Sequence, residues 1–336
     1  MRILLLGGSG LLSGAALRAF VRVGHEVSVL SRGARALPDR VTHLRADRTD
    51  SPALRAALAD RNFDFTADFL AYHAADIERL LAVPRFDPGR LVMISSGQVY
   101  LVAESPKPPF REEDVERAVM PEPAPGTREQ GEWAYGMGKR AAEAALARAS
   151  EATGLRTLVL RLPVVQGEAD RENSRRLWAW IERMRDGEPL LLPEHGRQIV
   201  RFVYAADVAE ALVTLAASPS WPTEPALNLA QPDESTLREF LDRVAVLAGA
   251  TPRFVSVDRA TLERAGLADS CAPYWGRWCS RPDPSRAIAM LGVRPRSPSE
   301  YLPSVVRAHL EPPRPVSHPG YAKREEELAL ARALAG

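Results

Sequence analysis

Cysteine is nearly absent: Cys271 and Cys279 are the only two in 336 residues. Two thiols cannot build a disulfide framework or a four-cysteine zinc site. One bridge between them stays open, although two reduced thiols suit a cytosolic chain better. An excess of one charge is also lacking. Lys and Arg number 44 against 43 Asp and Glu, a formal net charge of +1. The basic footprint of a nucleic-acid binder is therefore missing, and no nucleic-acid partner is expected. No apolar run is long enough to cross a bilayer. The apolar start, Met1 to Leu6, runs straight into Gly7-Gly8-Ser9-Gly10, where a secretory segment would be longer and end in a cleavage site. That start reads as a buried strand, and the chain as soluble and cytoplasmic, with no membrane partner. His73, His195, His309 and His318 show no metal-ligand spacing, so no metal site is expected.

What remains is an ordinary globular composition, 46% hydrophobic and 26% charged, in a chain long enough for two lobes. Short apolar runs at 2–6, 26–30, 42–45, 65–70, 90–94 and 156–162 alternate with helical patterns at 15–23, 51–60 and 135–153. Unbroken apolar strands separated by helices predict an α/β fold, a Rossmann-type doubly wound parallel sheet covered on both faces. The rhythm changes after residue 166. A helix over 174–185, rich in Arg and Trp, precedes a strand at 200–205 and a helix at 207–217. The reading is a dinucleotide-binding domain over 1–166, to which 200–230 returns, and a smaller, irregular C-terminal substrate lobe and tail over 167–199 and 231–336. The tail after Leu310, Pro-rich and then charged, either wraps the body or is mobile.

The first βα turn is Leu6-Gly7-Gly8-Ser9-Gly10-Leu11-Leu12-Ser13-Gly14. Glycines there let backbone N–H groups approach a pyrophosphate at a helix N-terminus, and Ser13 is small enough to stand for a third glycine. The second strand ends Val29-Leu30-Ser31-Arg32-Gly33. An acid at the position of Ser31 would bind the ribose hydroxyls of NAD; a hydroxyl followed by a guanidinium suits a 2′-phosphate instead. NADP is thus the favoured cofactor, with NAD as the alternative, and a solvated loop charge is the bland reading of Arg32. Asp47 could accept from an adenine amino group or simply shape a turn.

Tyr135-Gly136-Met137-Gly138-Lys139 sets a phenol and an ammonium on one helix face. The ammonium favours the phenolate, so the tyrosine can exchange a proton near neutral pH. Two glycines inside a helix cost about 1 kcal/mol each, a cost expected where a nicotinamide ribose or substrate comes close. Upstream, Val92-Met93-Ile94-Ser95-Ser96-Gly97-Gln98-Val99-Tyr100 is a buried strand ending in hydroxyls, and Ser96 could bond the carbonyl oxygen that Tyr135 protonates.

These motifs, with Val203-Tyr204-Ala205-Ala206-Asp207-Val208-Ala209, resemble the extended short-chain dehydrogenase/reductase family, the NAD(P)-dependent epimerase/dehydratase group. The resemblance implies a catalytic set of Ser96, Tyr135 and Lys139. It also implies cofactor contacts from Leu11, Leu12, Asp47, Leu70, Ala71 and Pro163, beside Gly7, Gly10, Ser31 and Arg32. Family members often pair through the helix that carries Tyr135, which leaves a homodimer open. Three departures narrow the chemistry. Dehydratases of the group carry Asp-Glu after the catalytic hydroxyl, where this chain has Gly97-Gln98. Nucleotide-sugar enzymes place an asparagine where Val164 stands and an Arg-Asp where Val200-Arg201 stands, although Arg197 or Arg201 could substitute. The expected function is reduction of a carbonyl on a small organic, specialised-metabolite-like substrate. The alternatives are a nucleotide-sugar epimerase that retains its dinucleotide and a non-catalytic NADP-binding scaffold. Trp178, Trp180, Tyr274, Trp275 and Trp278 either line an apolar substrate pocket or pack the small lobe.

Overall fold

The computed structural model describes residues 1–33, 36–169, 176–268, 273–311 and 321–335. The chain divides into two units. The first comprises Met1–Val165, Phe202–Pro232 and Ser280–Pro295; the second comprises Gln166–Arg201, Asp233–Cys279 and Arg296–Gly336. In the first unit, strands and helices alternate as β1 (Arg2–Leu6), α1 (Leu11–Arg22), β2 (Glu26–Ser31), β3 (Thr42–Arg45), α2 (Ser51–Leu58), β4 (Phe65–Asp68), α3 (Ala74–Leu81), β5 (Arg90–Ser96), α4 (Gln98–Leu101), α5 (Arg128–Thr153) and β6 (Thr157–Leu162). With the strand Ala226–Asn228 they form a seven-stranded sheet, parallel in every described pairing. Its order is Ala226–Asn228, β6, β5, β4, β1, β2, β3.

The period of two along each strand sends alternate side chains to opposite faces, and here both faces are covered. Ile3, Leu5, Val27, Val29, Phe65 and Ala67 pack beneath α1 and the helix Ala205–Ala217. Leu4, Leu6, Leu30 and Leu44 meet Leu54 and Leu58 of α2, while Leu91, Met93 and Val159 meet α3 and α5. Full burial of each such aliphatic side chain contributes about 1.5–3 kcal/mol. That two-sided cover is why the strands read as unbroken apolar runs.

Several boundaries differ from the sequence reading: α1 begins at Leu11 rather than at residue 15, and three others bear on the site. Strand β4 stops at Asp68 rather than continuing to residue 70, because the Asp68 carboxylate accepts the Leu70 N–H at 2.8 Å and turns the chain. Helix α5 begins at Arg128, well before residue 135, because the Thr127 hydroxyl accepts the Gln130 N–H at 3.2 Å and caps it. The strand expected at 200–205 splits into Ile199–Val200 and Phe202–Tyr204, neither in the large sheet; the short Ala226–Asn228 joins it instead.

In the second unit, Leu190–Pro193 pairs in parallel with Phe254–Val257. Trp178 and Trp180 on the helix Arg176–Arg185 are 3% and 0% exposed, and the Trp180 indole donates to Pro273 O at 3.1 Å. The tail's described end, Arg324–Ala335, is a helix whose Glu327 forms a buried ion pair with Arg183 at 2.6 Å. The expected helix residues 174–175, Cys271 with its open pairing, and residues 312–320 of the tail lie outside the described residues. Among the described residues no helix is long and apolar enough to cross a membrane.

Candidate active site

Strand order reverses at β1, with β4 on one side and β2 on the other. Open α/β sheets bind ligands outside the carboxyl ends of the strands at such a point. A cavity of about 620 Å³ lies there, lined by Gly7, Gly10, Ser31, Arg32, Asp47 and Leu70 together with Arg48, Tyr72 and His73. Two glycines make the cradle. Gly7 has φ +94°, a left-handed conformation that disfavours a side chain, and a Cβ on Gly8 would sit 2.6 Å from Val29 Cγ1. Of the other residues implicated by resemblance, Leu11 and Leu12 open α1, with Leu12 against the core, and Ala71 and Pro163 are buried; none of these lines the cavity. Asp47 Oδ1 accepts from both the N–H and the hydroxyl of Thr49 at 2.9 and 2.7 Å, which holds its carboxyl below the usual range. The turn role is therefore present, and Asp47 still faces the cavity.

Ser96 ends β5, and Tyr135 and Lys139 lie one turn apart on α5. Tyr135 is 38% exposed, whereas Lys139 is only 3% exposed. The Lys139 ammonium donates to Ala71 O at 2.7 Å and Ile94 O at 3.0 Å, so it bridges the chain just beyond β4 to β5. It stands 4.6 Å from the centroid of the Tyr72 ring and 5.9 Å from that of Tyr135. Burial lowers its pKa to about 8, against the opposing pull of the Asp68 and Glu143 carboxylates. The Ser96 hydroxyl accepts the Gln98 N–H at 3.2 Å, which turns its own O–H toward other acceptors.

The glycines of α5 do a different job from the one expected. A Cβ on Gly136 would lie 2.5 Å from Val102 Cγ1 and 2.9 Å from Gln98 O; one on Gly138 would lie 2.6 Å from Tyr72 O. Protein backbone and side chains, rather than a ligand, come close at these positions. Gly97 is similarly closed, since a Cβ there would overlap the Ser280 hydroxyl. The aspartate that dehydratases carry at this position has no room, and the neighbouring Gln98 amide is committed to Glu132 at 2.8 Å.

Sequence reasoning missed the charged floor of the cavity. Arg48 is 7% exposed and pairs with Asp68 at 2.7 Å, while its other amino group donates to Asp76 O at 2.8 Å. The Asp76 carboxylate accepts the N–H groups of Tyr72 and His73 at 2.9 and 3.0 Å, fixing the loop on which Lys139 leans. The available signal was an arginine directly after Asp47 and an acid closing an apolar run. In the second unit, Trp178, Trp180 and Tyr274 are buried, and Arg201 pairs with Glu234 at 3.4 Å. Burial of those three aromatics is what packing of the small lobe requires, whereas Trp275 and Trp278 are half-buried.

A family model described as "NAD dependent epimerase/dehydratase family" matches residues 3–230. A curated relative, the chloroplast stem-loop binding protein of 41 kDa b of Arabidopsis thaliana, is 26% identical over 230 residues. That match takes in 64% of this chain, and the chain spans about half (54%) of the relative's length. Solved structures with the same fold include the UDP-glucose 4-epimerase of Thermus thermophilus in complex with NAD, at 22% identity and TM-score 0.68, covering 93% of this chain and 99% of that one. The UDP-glucose 4-epimerase of Thermotoga maritima with UDP-glucose matches at 18% identity and TM-score 0.71, covering 92% and 98%. The UDP-glucuronic acid 4-epimerase of Bacillus cereus with NAD matches at 15% identity and TM-score 0.69, covering 92% and 96%.

Proposed function

This chain belongs to the NAD dependent epimerase/dehydratase family, and on that premise we propose that it is an NADP-preferring oxidoreductase that reduces a carbonyl of a small organic substrate. The observation that carries the reading is Lys139: a buried ammonium, brought down to about 8 and held by Ala71 O and Ile94 O, one helical turn from the exposed Tyr135. A purely structural lysine would be expected at the surface or against a carboxylate. The cavity also suits a dinucleotide, since the Gly7–Gly8 cradle has no room for side chains on its wall and Ser31 and Arg32 stand at its rim. A bound nicotinamide dinucleotide supplies the hydride.

The chain's own residues supply the rest. Ser96 donates a hydrogen bond to the substrate carbonyl and orients it. Tyr135 delivers the proton to that oxygen, and the Lys139 charge stabilises the phenolate left behind. Arg48 and Asp76 keep the loop Tyr72–His73 in place beneath them.

A second reading, a nucleotide-sugar epimerase that retains its dinucleotide, draws support from the UDP-sugar epimerases that share the fold over more than 90% of both chains. Turnover separates the two: reduction consumes the reduced-nicotinamide absorbance band, and epimerisation leaves it unchanged. Under either reading, Tyr135→Phe lowers kcat/KM by about 10²–10⁴ and leaves dinucleotide affinity intact. Full turnover by that variant would remove Tyr135 from the chemistry. Tight dinucleotide binding without turnover on carbonyl or UDP-sugar panels would favour a non-catalytic scaffold.

A further inference from the structure

We propose that strand β3 completes the 2′-phosphate site, with His43 and Arg45 acting beside Ser31 and Arg32 to make the dinucleotide preference. The inference rests on the NADP reading above. Its geometry begins with register. Arg45 lies opposite Ser31, and His43 opposite Val29. The intervening Leu44 is buried in the core, so His43 and Arg45 share the outward face, and both are exposed.

Each reaches the loop that follows β2. His43 Nε2 is 2.9 Å from Ser31 Oγ. The Arg45 guanidinium lies against Gly33 and donates from Nε to Arg32 O at 3.3 Å. A Cβ on Gly33 would meet that Nε at 2.6 Å, and Gly33 has φ +84°. The missing side chain is therefore what lets the β3 arginine close over the loop. Ser31 and Arg32 line the cavity together with the Gly7 and Gly10 cradle, while His43 and Arg45 stand behind them, the imidazole on the Ser31 hydroxyl and the guanidinium on the Arg32 backbone.

The hydrogen bonds give Ser31 a direction. Its oxygen accepts the Gly33 N–H at 3.4 Å. When His43 Nε2–H donates as well, both lone pairs are filled and the Ser31 O–H can only donate outward. A hydroxyl donor on a loop that carries Arg32 and is closed by Arg45 suits a phosphomonoester better than the ribose hydroxyl pair of NAD. Asp47, which also lines the cavity, accepts from Thr49 and lies within the field of Arg32. It offsets part of the positive field at the loop, which leaves the β3 arginine the more needed there.

The test is calorimetric titration of the full-length protein with NADP⁺ and, separately, NAD⁺. The wild type should prefer NADP⁺, and His43→Ala and Arg45→Ala should each weaken NADP⁺ about tenfold with NAD⁺ unchanged, Arg45 through a lost charge-assisted hydrogen bond and His43, a positioning residue, through a Ser31 hydroxyl no longer held as a donor. Equal weakening of both ligands would make the residues merely structural and overturn the proposal. If Arg32→Ala erases the preference while both β3 variants keep it, the β3 contribution is refuted and the NADP reading stands. If the wild type shows no preference, the NADP reading falls and the inference with it.

Discussion

Lys139 on α5 and Arg161 on β6 are buried to nearly the same depth, 3% and 5% exposed, yet their surroundings treat the two charges oppositely. Arg161 meets the Glu143 carboxylate at 2.7 Å and adds bonds to Tyr100 Oη at 3.0 Å and Glu112 O at 2.8 Å. Glu143 is bonded in turn by the Ser95 hydroxyl. Burial alone would lower the arginine's pKa, but Glu143 and Tyr100 raise it above the usual value. Lys139 has carbonyl dipoles and the Tyr72 ring in contact but no carboxylate, and burial wins, bringing it to about 8. Depth does not decide what a buried cation is for; a counter-charge in contact does. One helix carries both outcomes a single turn apart, since Glu143 follows Lys139 by four residues.

The largest effect should come from breaking the paired cation. Glu143→Ala leaves Arg161 buried without its carboxylate, a loss expected to cost about 3–5 kcal/mol in denaturant unfolding. The double change Glu143→Leu with Arg161→Met should recover much of it, because an apolar pair of similar volume needs no counter-charge. A loss below about 1 kcal/mol, the range of exposed pairs, would show that solvent already shields this network.

The unpaired cation should respond in the other direction. Its folded pKa of about 8 lies below the usual 10.5 of a lysine, so the penalty for holding the charge is complete below pH 8. It fades between pH 8 and 10.5 as the folded protein sheds the proton that the unfolded chain still holds. Lys139→Met should therefore stabilise the dinucleotide-free protein by about 1–3 kcal/mol at pH 7, after allowing for the two carbonyls left bare. That advantage should shrink to nothing by pH 10.5, while turnover is lost at every pH. A variant less stable than wild type across the whole range would mean that the carbonyl bonds outweigh burial.

The same contrast explains how much could be read in advance. The glycine turn, the six apolar strands and the Tyr135–Lys139 spacing depend on neighbours in sequence, and all were visible there. Arg48–Asp68 and Arg161–Glu143 join residues some twenty positions apart on different elements; no periodicity marks them. The early start of α5 did carry a sign, Thr127 followed three residues later by Gln130, masked by the polar residues between. Gly136 and Gly138 announced a close approach without saying to what, and only the packed fold names Val102, Gln98 and Tyr72 as the neighbours.

The smallest effect probes how far the paired cation's network extends. Tyr100 donates to Asn228 Oδ1 at 2.6 Å and accepts from Arg161, while its ring stacks on Phe110 with centroids 5.0 Å apart. Tyr100→Phe keeps the stack and removes only the hydroxyl, so about 1–2 kcal/mol should be lost, the cost of leaving Asn228 and one guanidinium N–H unmet. Burial raises the Tyr100 phenol to about 12 from 10.0. Its contribution is therefore complete below pH 10 and disappears as pH rises toward 12, the reverse of the Lys139 window. In the variant, the alkaline decline in stability between pH 10 and 12 should be shallower than in wild type. An unchanged slope would place the hydroxyl outside the network and leave Glu143 as the sole partner that decides the state of Arg161.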